Sequence, residues 1–400
     1  MKNTIRRVFH QTHAGKISII LALAWFSFRI GRESLPPLLS VIIVDIGVSA
    51  SEAGLAMTLM WIWYSLTQFP GGRVSDKLSR RTVIIFSLLL SVLGFLLLTV
   101  TTTFMLFILS VSLIGIGGGL YFVPMRALLS DLYVDDRGRV FGINLAAGAF
   151  GSALAAGLVY IVLELTVWQN VFLPPAMLLA TAALLMHAFS NERYVISSVD
   201  LQLRNTITRM LISTTVRRSI VVYSLFIFVF QGVISFFPIF LQSEKAFSMI
   251  AANTSFALIY VIGFFVMPIA GKFGDKFGYR LFSMFALISA IFGLLLIVVT
   301  DVTELIITGV ILFAAGIRGF SPLMQAYFMT IFPDSSMGGD FGATKTIYNG
   351  VGSFGPLYIG VVADLFSYTV SFASLVVLLM TSLLVLWVGV SPICDIQEDY

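Results

Sequence analysis

The chain has 400 residues, of which 24 are basic and 20 acidic, so that charged residues make up 11% and apolar residues 58%. Soluble domains are about 25% charged, and a soluble fold of this length has too small an interior for so much apolar surface. The same composition excludes a disordered chain. A single cysteine, Cys394, excludes an internal disulfide framework and a cysteine-based zinc site. The composition therefore predicts an integral membrane protein.

Long apolar runs, each near the roughly 20 residues that cross a bilayer, predict twelve transmembrane helices and thus an all-α membrane protein. The predicted spans are about 17–43, 52–71, 82–101, 104–131, 139–163, 168–189, 218–242, 250–271, 281–299, 304–332, 340–365 and 368–391. A polar, arginine-rich stretch separates the sixth span from the seventh. We therefore expect an N-terminal six-helix bundle (1–190), a central cytoplasmic loop (191–217) and a C-terminal six-helix bundle (218–400).

The basic residues predict the orientation of these spans. With the N-terminus inside, eighteen of the 24 Lys and Arg residues lie on the cytoplasmic side, five lie within spans, and only Lys245 lies on the opposite side. This asymmetry predicts a multi-pass protein of the cell membrane with both termini in the cytoplasm. Basic loops beside anionic headgroups account for the net charge of +4. The bilayer is thus an expected partner, and nucleic acid is not.

Two charged loops repeat at an offset of 199 residues, one after the second predicted span and one after the eighth. The paired residues are Gly72 and Gly271, Asp76 and Asp275, Lys77 and Lys276, and Arg81 and Arg280. A fixed offset of this kind indicates an internal duplication. The chain is therefore predicted to consist of two related halves of about 200 residues.

With this duplicated loop and twelve spans, the chain resembles the major facilitator superfamily of secondary transporters. In the first loop Val74 and Ser79 stand where the family pattern has Leu and Gly. The resemblance covers the whole chain and implies two pseudo-symmetric six-helix bundles. It also implies that spans one, four, seven and ten line a central cavity, flanked by spans two, five, eight and eleven. By this resemblance we expect a monomeric transporter of a small molecule that works without a cofactor.

The function of the charged loops can be interpreted in two ways. Helix starts hold partial positive charge and unpaired N–H groups, so Asp76 and Asp275 could dock on helix starts of the other half and form a conformational latch. Alternatively, the loop charges only fix the topology. Arg80 or Arg81 could pair with Asp131 at the end of span four. The candidate latch residues are Gly72, Asp76, Arg80, Arg81, Asp131, Gly271, Asp275 and Arg280.

Six charged residues lie inside predicted spans, and five of them are basic. They are Arg29, Arg32, Glu33, Arg126, Arg318 and Lys345. Charge within a membrane is costly and commonly marks a transport pathway. Arg29 and Glu33 are one helical turn apart and can neutralise each other, which would leave Arg32 as the unpaired cation. Because arginine presents a rigid fork to carboxylate or phosphate, the excess positive charge favours an organic anion as the substrate.

Other interpretations of these residues remain open. The arginines could form interhelical pairs, and Arg126 and Lys345 could reach the cytoplasmic interface. Glu33 is the candidate for proton coupling, but a permanent pair with Arg29 is an equal alternative. Uncharged polar residues on the same spans could bind substrate or make interhelical hydrogen bonds. The complete set of candidate substrate-binding residues is Arg29, Arg32, Arg126, Arg318, Gln231, Tyr64, Asn349 and Lys345.

The resemblance extends loosely to subfamilies that carry organic anions. Organophosphate antiporters place basic residues on spans one and seven, whereas span seven here has Gln231. Anion:cation symporters use arginines on spans one and four near a carboxylate, and Arg29, Arg32, Arg126 and Glu33 fit that pattern. A drug or metabolite efflux antiporter is the alternative, although its Gly-Pro motif is absent from span five. A non-transporting receptor with a transporter fold is the alternative of another class. Catalytic motifs that would indicate an enzyme are absent.

Overall fold

A computed structural model describes residues 13–133, 136–190, 213–332 and 337–389. The side chains of 76, 77, 337–340 and 389 lie outside that description. Across the described residues the secondary structure is helical, and fourteen α-helices build the twelve predicted spans. Ten stretches of the described chain are long and apolar enough to cross a membrane. The prediction of an all-α membrane protein with twelve spans is confirmed.

The first seven α-helices cover spans one to six, with a 3₁₀ turn over Trp168–Phe172 before the seventh. They are α1 His13–Glu33, α2 Leu35–Ile46, α3 Ala50–Lys77, α4 Arg80–Thr99, α5 Phe104–Leu132, α6 Arg137–Leu165 and α7 Leu173–Phe189. Span one is divided between α1 and α2 at Ser34. Pro36 and Pro37 have no N–H to donate to the carbonyls of Arg32 and Glu33, so the helical ladder is interrupted there.

The remaining α-helices cover spans seven to twelve. They are α8 Thr214–Glu244, α9 Met249–Phe277, α10 Tyr279–Val299, α11 Thr303–Ile331, α12 Met337–Gly352, α13 Gly355–Leu365 and α14 Tyr368–Gly389. Span eleven is divided between α12 and α13, where Pro356 cannot donate to Gly352. Most of the predicted central loop, residues 191–212, lies outside the described residues. At its end α8 begins at Thr214, four residues before the predicted start at 218.

The chain forms two compact units. The first contains the described residues up to Val48 and from Leu59 to Ser190, and the second contains Ser49–Thr58 and the described residues from Ser213 onward. Span two, the helix α3, therefore begins in the second unit and continues in the first. In the second unit, the N-terminal residues of α3 pack against α13, where Thr58 Oγ1 accepts a hydrogen bond from the Leu357 N–H at 3.0 Å.

Lys245, which the sequence places alone on the non-cytoplasmic side, has a structural role in the second unit. Its ammonium donates to the carbonyls of Val298 and Thr300, both at 2.9 Å, and pairs with Asp301 at 2.8 Å. Carbonyls in the last turn of a helix lack intrahelical donors, and the lysine supplies one at the end of α10. These contacts therefore give Lys245 a structural role at the end of α10.

Candidate functional site

The first unit holds a buried cluster of three charges at the end of α1. One carboxylate oxygen of Glu33 lies 2.8 Å from Arg29 Nη1 and 2.7 Å from Arg32 Nη2. Arg32 and Glu33 are each 3% exposed in their side chains. The expectation that Arg32 would be the unpaired cation is wrong, because long side chains at adjacent positions can reach the same oxygen. The three formal charges of this triad, Arg29, Arg32 and Glu33, sum to one positive charge.

Aromatic rings surround the Arg32 guanidinium. Its central carbon lies 4.5 Å from the ring centroid of Trp61 and 5.3 Å from those of Phe28 and Tyr64. Such distances correspond to cation–π contact, which stabilises a desolvated guanidinium. Two of the rings, Trp61 and Tyr64, come from α3. The predicted substrate residue Tyr64 is therefore part of the surroundings of Arg32.

Arg126 on α5 is connected to the triad through aromatic contacts within the first unit. Its guanidinium carbon lies 4.3 Å from the Phe122 ring, which lies 5.3 Å from the Trp25 ring. Trp25 in turn lies 5.8 Å from the Arg29 guanidinium. Arg29 also donates from Nε to Ser152 on α6 at 2.9 Å. The structure thus places Arg29 and Arg126 at opposite ends of one aromatic pair.

The second unit holds an arginine in related surroundings. The guanidinium carbon of Arg318, on α11, lies 4.3 Å from the Tyr260 ring and 5.1 Å from the Phe230 ring. Its Nε and Nη2 atoms are buried and have no hydrogen-bond partner among the described residues. A buried donor of a charged group without an acceptor is costly. An anion bound here would supply the acceptors that the described residues of the chain do not provide.

The other candidate residues fall into two groups. Gln231 on α8 is 3% exposed, and its carbonyl oxygen has no hydrogen-bond partner in the described part of the chain. It directly follows Phe230, one of the two rings beside Arg318. Lys345 and Asn349, one helical turn apart on α12, are half-buried.

Residues of the first charged loop contact α5 and α7 of the same unit. Arg80 Nε donates to Asp131 at 2.5 Å, which is the pairing the sequence suggested as one of two possibilities. Arg81 donates to the carbonyl of His187 at the end of α7. A Cβ at Gly72 would lie 2.9 Å from Val123 on α5. The side chain of the candidate latch residue Asp76 lies outside the described residues.

The second charged loop repeats part of this arrangement. Arg280 donates to the carbonyl of Trp387 at the end of α14, at 2.6 Å. The two arginine–carbonyl contacts are related by the internal duplication. Asp275 accepts a hydrogen bond from the Tyr279 hydroxyl. A Cβ at Gly271 would have nothing within 4 Å, in contrast to one at Gly72.

Sequence reasoning missed a carboxylate that caps α3 in the second unit. Asp364, at the end of α13, accepts from the backbone N–H of Ala50 at 3.1 Å and of Ser51 at 2.7 Å, and from the Ser51 hydroxyl. It therefore satisfies two of the unpaired N–H groups at the start of α3. No sequence signal identifies this contact, because the partners are 313 and 314 positions apart.

We expect Asp364→Ala to destabilise the protein by about 1 kcal/mol, the typical cost of losing a helix N-cap. Asp364→Asn keeps one acceptor oxygen and should cost less. The measurement is the thermal unfolding midpoint of the purified protein in detergent. Glu164→Ala is the control, because Glu164 is an exposed acid near the end of α6. Equal midpoints for Asp364→Ala and the wild type would contradict the cap.

The rings that surround the two arginines could have been found from the repeat. At the offset of 199, Trp61 corresponds to Tyr260, and each lies beneath one guanidinium. The sequence analysis assigned a binding role to neither ring. The available signal was the presence of an aromatic residue at the same repeat position in span two and in span eight.

Comparison with known proteins identifies the family. Residues 21–356 and 253–395 match the family model described as Major Facilitator Superfamily. The voltage-gated purine nucleotide uniporter of Mus musculus is 28% identical over 194 residues, 46% of this chain and 41% of that protein. The class H tetracycline resistance protein of Pasteurella multocida is 24% identical over 311 residues, 75% of this chain and 76% of that protein. The match therefore spans less than half of the uniporter.

Solved structures of low sequence identity share the fold. A bacterial homologue of the human lysosomal transporter Spinster, in an inward-facing and unoccupied conformation, superposes with a TM-score of 0.82 at 15% identity. The match covers 97% of this chain and 98% of that one. A D-xylose–proton symporter gives 0.78 at 16% identity, covering 96% and 99%. These likenesses concern the fold alone.

Proposed function

Because this chain belongs to the Major Facilitator Superfamily and is therefore a membrane transporter, we propose that its substrate is a small organic anion. The observation that carries the proposal is Arg318, whose Nε and Nη2 atoms are buried without an acceptor among the described residues. A carboxylate or phosphate accepts two parallel hydrogen bonds from such a fork. The rings of Tyr260 and Phe230 would hold the guanidinium in place while the anion binds.

The first unit supports the same substrate charge. The triad keeps one net positive charge after Glu33 has paired with both arginines, and Arg126 adds a second cation on α5. We propose that Arg29, Arg32 and Arg126 attract the anion, with Tyr64 as a ring beside it. Within the second unit, Gln231, Asn349 and Lys345 are proposed to contact the anion that Arg318 binds. A nucleotide, the substrate named for the mouse uniporter, is one anion of the proposed kind.

Glu33 is the proposed site of proton coupling. An anion that takes over one arginine of the triad would remove an ion-pair partner of the Glu33 carboxylate, and that carboxylate would then accept a proton. We expect Glu33→Gln to transport substrate without a response to a pH gradient, because glutamine keeps an acceptor but cannot titrate. The measurement is uptake into proteoliposomes with and without ΔpH. A wild type that ignores ΔpH would refute the coupling.

The charged loops are proposed to control conformation through Asp76 and Asp275, as docking carboxylates. The contacts of Arg81 and Arg280 with the last turns of α7 and α14 would hold each loop against its own bundle, and the Arg80–Asp131 pair would add to this. Gly72 lies within α3, where it would allow close approach to Val123 on α5, and Gly271 is its counterpart within α9. On the basis of the Lys and Arg distribution, we further propose a protein of the cell membrane with cytoplasmic termini. A monomer is proposed on the basis of the family.

Efflux of a drug or metabolite is the second candidate function. It is favoured by the match to the tetracycline resistance protein, which covers three quarters of both chains. An efflux substrate that is a cation would leave Arg318 without an acceptor, so this candidate explains the arginine less well. A receptor that does not transport is the third candidate, and it differs from both in producing no flux.

A thermal-shift panel on the purified protein tests the proposed substrate class. The panel contains three anions (ADP, benzoate and glutamate), the neutral sugar xylose, and tetracycline. A ligand that binds only the folded protein stabilises it by RT ln(1 + L/Kd), where L is the free ligand concentration. We expect an anion to raise the unfolding midpoint and xylose to leave it unchanged. Stabilisation by tetracycline or xylose, and by none of the anions, would contradict the proposal.

A further inference from the structure

The internal duplication shows that the two units place an arginine over the same aromatic position from different helices. Trp61 and Tyr260 correspond at the offset of 199, and their rings lie 4.5 and 4.3 Å from a guanidinium. In the first unit that guanidinium comes from Arg32 on α1. At the corresponding position of α8 the chain has Gln231, and in the second unit the cation comes from Arg318 on α11.

The helix that carries the glycine and the helix that carries the large side chain are reversed between the two units. Arg318 corresponds to Gly119 of α5, and Tyr64 of α3 corresponds to Gly263 of α9. In the first unit, a Cβ on Gly119 would overlap the Tyr64 carbonyl oxygen. In the second unit the Arg318 side chain extends from α11 towards α9, where Gly263 at the facing position has no side chain.

The space at Gly263 is filled by the stem of Arg318. A Cβ at Gly263 would lie 2.8 Å from Cγ, 2.9 Å from Cδ and 3.3 Å from Nε of that arginine. Cγ and Cδ connect the α11 backbone to the guanidinium, and Nε belongs to it, so these atoms cannot move far without moving the guanidinium. Tyr260, less than one turn earlier on α9, carries the ring under that guanidinium.

We propose that Gly263 is a positioning residue for Arg318, and that it sets the anion affinity of the second unit by allowing the guanidinium to lie on Tyr260. This deepens the proposed function, because Gly263 would act on the substrate only through Arg318. A methyl group at 263 would push the stem away from α9 and lift the guanidinium from the ring.

A double-mutant cycle in the absence of ligand tests the contact itself. The four proteins are the wild type, Gly263→Ala, Arg318→Ala and the double variant, and the quantity is the unfolding midpoint. We expect Gly263→Ala to lower the midpoint when Arg318 is present. In the Arg318→Ala background it should leave the midpoint unchanged or raise it, because alanine favours a helix over glycine. Equal effects in both backgrounds would overturn the proposal.

A binding measurement separates positioning from a general loss of structure. For the panel anion that stabilises the wild type (ADP, benzoate or glutamate), Gly263→Ala should raise the apparent Kd about tenfold, a loss of about 1.4 kcal/mol. Gly319→Ala is the matched control, because its Cβ would make only ordinary contacts at 3.4 Å or more. An unchanged Kd in Gly263→Ala would count against positioning. If no anion stabilises the wild type, the proposed function fails, and the cycle alone decides for or against Gly263.

Discussion

Arg318→Ala is expected to weaken anion binding at least about thirtyfold, corresponding to about 2 kcal/mol, the lower end of the cost of removing one partner of a buried charge pair. The physical reason is that Nε and Nη2 of Arg318 have no acceptor among the described residues and are available to the substrate. Because the side chain makes no ion pair in the described structure, its removal should leave the fold intact. The measurement is the apparent Kd of the panel anions from thermal-shift titrations.

Two further variants serve as comparisons for the Arg318→Ala result. Arg318→Lys keeps the charge but cannot form two parallel hydrogen bonds, so we expect it to bind more weakly than the wild type and more tightly than Arg318→Ala. Arg217→Ala removes an exposed arginine at the start of α8 and should bind normally. Wild-type affinity in Arg318→Ala would show that the substrate charge is not recognised in the second unit.

Glu33→Ala is expected to cost about 3–5 kcal/mol of stability, the range for removing one partner of a buried ion pair. Its carboxylate is the shared acceptor of Arg29 and Arg32, and its side chain is 3% exposed. Without it, two cations would remain close together away from water. The measurement is the free energy of unfolding in detergent, or the unfolding midpoint where unfolding is irreversible.

A compensating variant distinguishes charge from packing. Arg29→Leu combined with Glu33→Leu leaves Arg32 alone and keeps the triad's net charge of one. We therefore expect the double variant to be more stable than Glu33→Ala. Glu164→Ala, at an exposed position, should be as stable as the wild type. A Glu33→Ala protein of wild-type stability would mean that the triad is solvated and does not depend on its carboxylate.

The sequence predicted the elements of the fold because their signals are local. Apolar run length predicted the spans, and the duplicated charged loops predicted two related halves. The internal duplication also extends to contacts that the sequence did not predict. Arg81 donates to the last turn of span six, the helix α7, and Arg280 donates to the last turn of span twelve, the helix α14. Apolar run length did not reveal the break at Ser34, because the apolar residues continue past the two prolines.

The site could be predicted only as a set of charged and polar residues, without most of the contacts between them. Helical spacing identified the Arg29–Glu33 pair, but it did not identify the second pairing with Arg32, since arguments from one helical face consider residues three or four apart. The aromatic surroundings depend on which helices pack together, and so does the space that Gly263 gives to Arg318. Such contacts connect residues far apart in sequence, and a single sequence carries no measure of their distance.

The central claim is that the chain transports a small organic anion, which arginines within its spans recognise. It is tested most directly by solute flux in proteoliposomes. Radiolabelled ADP, benzoate and glutamate are measured beside xylose and tetracycline, with wild type and Arg318→Ala reconstituted at equal density. We predict saturable flux of at least one anion by the wild type and loss of that flux in Arg318→Ala, with no flux of xylose. Flux of xylose or tetracycline that persists in Arg318→Ala, without anion flux in the wild type, would contradict the claim.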